Sequence, residues 1–115
     1  MFDFEKFDVY KKAKQAAKEI SDLITNLKGA HPRIIDQLQR ASLSIPLNIA
    51  EGAGRYSKAD KKNFYIIARG SVFECVAILD IIFDLGHISE TVKSDLYNKL
   101  EELSKMISGL INSQR

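Results

Sequence analysis

Ser57–Leu85 reads SKADKKNFYIIARGSVFECVAILDIIFDL, and the fold follows from it. Phe64, Ile67, Ala68, Ser71, Cys75, Ile78, Leu79 and Ile82 recur at steps of three and four, the period of one face of an α-helix. Ser57 supplies an N-cap hydroxyl and Asp60 an acid in the first turn, and Gly86 stops the run. At roughly 28 residues and 1.5 Å per residue, such a helix is about 42 Å long. A partner of comparable length must cover it.

Three further segments have that length. From about residue 8 to 27, Val9, Ala13, Ala16, Ile20, Leu23, Ile24 and Leu27 share one face, with Asp8 as expected N-cap and Gly29 beyond the end. From about 33 to 51 the stripe is Ile34, Leu38, Ala41, Ile45 and Ile49. Pro46 lies inside it and costs a helical hydrogen bond, about 3 kcal/mol. The apolar phase continues through it, so one kinked helix is expected, ended by the turn Gly52-Ala53-Gly54. From about 89 to 112, Ser89 caps a helix carrying Val92, Leu96, Leu100, Leu103, Ile107, Leu110 and Ile111. No stretch alternates as a half-buried strand does. Long helices joined by short turns pack antiparallel to their neighbours. The expected fold is an all-α, up-down-up-down four-helix bundle in a single domain over residues 1–115.

Composition agrees. With 115 residues there is room for one domain, and 45% hydrophobic with 28% charged residues exclude intrinsic disorder. Six glycines and two prolines leave few places to turn. A single cysteine fits a reducing compartment, the N-terminus lacks the apolar core of a secretory signal, and no stretch reaches the roughly 20 apolar residues of a membrane span. A cytoplasmic protein without membrane contact is expected.

Between Val72 and Leu85, 11 of 14 residues are apolar, against three or four per two turns for one bundle face. Tyr65 and Ile66 extend the surplus upward. Apolar surface that one bundle leaves wet is a motive for self-association, so Phe73, Val76 and Phe83 are expected in contacts between copies.

Catalytic signals are missing. Cys75 sits on the core stripe with no cation beside it and reads as a buried hydrophobe rather than a nucleophile. Ser42, Ser44 and Ser71 have no base nearby in sequence. His31 and His87 lie in turns without further ligands at metal spacing, and Gly52-x-Gly54 follows no strand, unlike a phosphate-binding loop. No enzyme, cofactor, metal or small-molecule substrate is expected. Two polar features survive. Gln37, Arg40, Ser44, Asn48 and Glu51 recur at three- and four-residue steps along one edge of the second segment, and Glu74 flanks the core stripe of the third. They are expected to form a structural hydrogen-bond network, with Arg40 pairing Glu74. Arg55, Lys58, Lys61 and Lys62 surround a helix N-terminus beside Tyr56, the best anion or RNA-backbone site in the chain. Lys11, Lys14 and Lys18 extend it. Net charge is only +2, but residues 1–69 hold 13 Lys/Arg against 8 Asp/Glu, whereas 70–115 hold 4 against 7.

FEKFDVYKKAKQAAKEI near the start, QLQRASLSIPLNIAEGAGR at 37–55, and Ala68-Arg69-Gly70-Ser71 followed by Glu74 resemble the proteins encoded in intervening sequences of bacterial 23S ribosomal RNA genes. The resemblance covers nearly the whole chain. Gln39 stands where that pattern often has arginine, and Cys75 where it has leucine. The resemblance implies a four-helix bundle assembled as a ring-shaped homo-oligomer, a pentamer, with no established activity. Similar bundles act as accessory proteins of diversity-generating retroelements, which makes RNA or a nucleoprotein the implied partner. The alternative is a protein-interaction scaffold whose surface charge is incidental.

Overall fold

The computed structural model describes residues 1–114. A short 3-10 turn, Asp3–Lys6, leads into four helices: α1 Asp8–Asn26, α2 Pro32–Ala53, α3 Lys58–Asp84 and α4 Glu90–Asn112. No strand occurs among the described residues. Ion pairs and hydrogen bonds fix the helix directions. Lys12 meets Glu102 and Glu19 meets Lys99 between α1 and α4. Gln37 meets Glu74 and Ser44 meets Ser71 between α2 and α3. Asp80 meets Lys93, and Arg69 meets Ser108, between α3 and α4. In each pair one number rises as the other falls, so these neighbours run antiparallel. The body measures 44 × 22 × 21 Å, one α3 long and two helices wide.

Local chemistry sets the helix ends. Ser57 Oγ accepts from the Asp60 N–H at 3.0 Å, and Ser89 Oγ from the Val92 N–H at 3.2 Å. Asp8 does not cap α1. It is the first helical residue, and the cap position belongs to Phe7, which has no side-chain acceptor. His31 caps α2, its Nδ1 accepting from the Arg33 N–H at 3.1 Å. Pro32 follows as the first helical residue, where the missing N–H costs nothing. At the end of α3, Gly86 takes φ +82°. Its N–H donates to Phe83 and that of His87 to Ile82, the double closure that needs a left-handed residue. Pro46 lies buried within a continuous α2.

One core cluster threads all four helices, with Ile20, Leu38, Ile45, Ile49, Tyr65, Ile82, Leu100, Leu103 and Ile107 almost wholly buried. Two residues depart from expectation. Tyr65 faces inward and is core, whereas Ile67 is half exposed. The period of 3.6 carries 65, 68, 72, 75 and 79 through the centre of the buried face, leaving Ile67 on its edge. Gly52 is not a turn residue either. It is buried inside α2, where a side chain would strike the Tyr65 ring.

Candidate functional site

The outer face of α3 is apolar and uncovered by the rest of the bundle. Positions 66, 70, 73, 77 and 81 recur opposite the buried stripe, and they hold Ile66, Gly70, Phe73, Ala77 and Ile81, all exposed. Ile66 is 51% and Phe73 53% exposed. Phe73 and Ala77 continue into a groove of about 440 Å³ between α3 and α4, floored by Val72, Val76, Leu79 and Leu100. Tyr97 forms the far wall, and Asp80, Lys93 and Glu101 the charged rim. The Arg69 guanidinium lies 4.5 Å from the Phe73 ring centroid. Of the three residues expected in contacts between copies, Phe73 and Val76 border this groove. Phe83 is half-buried under Lys93 Nζ, 4.4 Å from its ring centroid. A second apolar ridge not expected from the sequence is formed by Leu43 and Leu47 on α2, both exposed. Its signal was present: two leucines four residues apart, away from the core stripe of α2.

The polar seam between α2 and α3 joins Gln37, Ser44, Asn48 and Glu74 of the expected edge, but Arg40 and Glu51 pair elsewhere. Asn48 Nδ2 donates to Ser44 Oγ at 2.9 Å, Ser44 and Ser71 share a bond of 2.8 Å, and Ser71 donates to the Ile67 carbonyl at 3.1 Å. One direction of donation satisfies the whole chain. Below it, Gln37 Nε2 donates to Glu74 Oε2 at 2.9 Å. Arg40 does not pair with Glu74 but with Asp36, one turn back at 3.0 Å, and Glu51 pairs with Arg55 at 2.9 Å. Gln37 and Glu74 are therefore brought together, while Arg40 and Glu51 each close a local pair on the surface. Such i,i+4 pairs stay within reach along a helix without crossing to a neighbour.

The basic end is partly used by the fold. Arg55 lies between Glu51 and the Phe64 ring, 4.5 Å from its centroid. Lys61 Nζ donates to the Ala53 carbonyl at 2.8 Å, capping the C-terminus of α2. Lys58 and Lys62 sit on the same turn of α3, and the Tyr56 ring beside them is completely exposed. Cys75 is fully buried, and burial, then the charge of Glu74, pushes its thiol up to about 12, the opposite of an activated nucleophile. No group of three potential metal ligands occurs among the described residues. His87 lies against Gly29 in the turn region. No helix of the described residues is long and apolar enough to cross a membrane.

Over residues 5–109 the chain matches the family of 23S rRNA-intervening sequence proteins. It belongs to that family. No curated protein matches it. A solved structure from Bacteroides thetaiotaomicron superposes with a TM-score of 0.84 at 24% identity, covering 90% of this chain and 97% of the other. It is described as a protein of unknown function from the S23 ribosomal protein family. At that identity the likeness speaks for the fold, which the intervening-sequence protein shares along almost its whole length.

Proposed function

We propose that this intervening-sequence protein is a non-catalytic scaffold that works as a homo-oligomer, the ring-shaped pentamer that its family resemblance implies, within the cytoplasm. The observation that carries the proposal is the uncovered stripe on α3. Complete burial of one large apolar side chain is worth about 1.5–3 kcal/mol. Ile66, Phe73 and Ile81 each retain about half their surface in water, so roughly half of that gain is still available at each residue in every copy. Light scattering at micromolar concentration tests it. The expected mass is several times the 13.0 kDa of one chain, and a monomer there ends the proposal.

The ring's cargo is RNA or a nucleoprotein, held by Arg55, Lys58, Lys61 and Lys62. The exposed Tyr56 ring supports this assignment, because an aromatic face beside cations stacks unpaired bases. A ring repeats the site, so weak contacts add up. Affinity for single-stranded RNA should fall with salt at a log–log slope of about −0.7 per phosphate contacted. Tyr56→Ala and Lys58→Glu should weaken binding, the latter also flattening the slope; no change with either would place the RNA elsewhere. The engagement of Arg55 and Lys61 within the fold favours the competing reading, a protein scaffold without nucleic acid. A flat salt response would select it.

A further inference from the structure

From the placement of two apolar patches we infer how copies join: the Leu43–Leu47 ridge of α2 on one copy seats on Ile66, Gly70 and Phe73 of α3 on the next. This rests on the self-association proposed above and names the surfaces that perform it. The hydrogen bond between Ser44 and Ser71, 2.8 Å long, puts residue 44 level with residue 71. The two helices run in opposite directions at about 1.5 Å per residue. Leu43 is therefore level with the gap between Gly70 and Phe73, and Leu47 with the gap between Ile66 and Gly70. Nothing lies within 4 Å of where a Gly70 side chain would begin, so the seat has an open notch at its centre. Two leucine knobs and one notched face stand at the same height on different sides of the bundle.

Equal height decides the kind of assembly. Contact between unlike patches generates a ring if rotation alone relates successive copies, and an open filament if each copy also climbs. Here no climb is needed when the bundles stand side by side in the same direction. Two copies meeting face to face across α2 and α3 would instead enclose the polar groove that Asp36, Gln37, Arg40 and Glu74 line between those helices and leave ridge and seat pointing outward. Charge agrees with the seating. Glu51 lies one turn beyond Leu47 and comes within a turn of the height of Lys62 on the seat. At the other end Arg40, 80% exposed along its side chain, reaches the height of Phe73, beside which Glu101 borders the groove.

The test uses two variants of the full chain, Leu47→Asp without the ridge and Phe73→Asp without the seat. Both positions are exposed, so circular dichroism should show native helix in each. Wild type should exceed a dimer in light scattering, each variant alone should run as a monomer, and an equimolar mixture should form a one-to-one dimer. That recovery arises because the mixture retains one working ridge and one working seat. If wild type assembles but both variants assemble equally well, or the mixture stays monomeric, these surfaces are wrong while self-association stands. A wild-type dimer excludes the ring. A monomeric wild type overturns the inference together with the reading it rests on.

Discussion

The position where a Gly52 side chain would begin lies 2.7 Å from Cε1 and 2.9 Å from Cδ1 of Tyr65. Real side-chain carbons do not approach a ring so closely. Tyr65 is 2% exposed within the core, so α2 and α3 can be this near only because residue 52 is glycine. Gly52→Ala should destabilise the bundle by about 1–3 kcal/mol through overpacking, outweighing the helix propensity that alanine adds. In thermal unfolding that is a fall of about 4–8 °C per kcal/mol. Gly54→Ala is the control. That residue has an ordinary φ of −83° and room for a methyl group, and the variant should melt at or above the wild-type temperature. Equal behaviour of the two would refute the close-approach role of Gly52.

Gly52 also marks the limit of what the sequence discloses. A glycine two residues from another reads as a turn, and only the position of a ring on a neighbouring helix reveals it as a packing contact. The helical periods and the capping serines at 57 and 89 are local signals and were legible without a structure. Tyr65 and Ile67 lie on the opposite faces from those expected because both are apolar, and a two-residue shift within a greasy run leaves the pattern intact. Arg40 found Asp36 rather than Glu74 because its own helix offered an acid one turn away. Leu43 and Leu47 give a weaker signal than α3, where apolar residues are dense, because two isolated leucines on a surface are common.

The Ser44–Ser71 bond should show coupling. Ser71→Ala removes the acceptor of the Ser44 hydroxyl proton, while the Ser44 oxygen keeps the bond from Asn48, and should cost about 0.5–1.5 kcal/mol, the net worth of one such bond. Ser44→Ala/Ser71→Ala removes both hydroxyls, leaving no orphan between the helices, while Asn48 keeps its bond to the Ser44 carbonyl at 2.8 Å. The double variant should therefore be more stable than the sum of the single losses predicts, by about 0.5–1 kcal/mol, within the range for residues in one network. Urea unfolding of the four proteins measures this directly. Strict additivity would mean that the bond contributes nothing specific.

Lys61 offers a further check on the basic end. Its ammonium donates to the Ala53 carbonyl, one of the acceptors that a helix C-terminus leaves unpaired. Lys61→Met keeps most of the aliphatic stem and loses the donor. Stability should drop by about 0.5–1.5 kcal/mol, the worth of one such bond, while Lys62→Met should change it by less than about 0.5 kcal/mol, as at ordinary surface positions. Chemical denaturation of both variants decides. Equal losses would mean that the Ala53 contact is not the reason Lys61 matters.

Cys75 gives the molecule a weakness at high pH. In the unfolded chain its thiol ionises near the ordinary value of about 8.5. In the fold, burial and then the charge of Glu74 raise it to about 12. Between those values the unfolded state has lost a proton that the folded state still holds, so stability falls as pH rises through this window. Below it, both states are protonated and the penalty vanishes. The melting temperature should therefore decline from about pH 9 upward, and Cys75→Ala should decline less steeply, even though it loses some burial energy at neutral pH. At pH 8 the folded protein should resist iodoacetamide and react once denaturant opens it. Rapid alkylation of the native protein, or identical alkaline slopes for wild type and Cys75→Ala, would show that the thiol is not held protonated in the core.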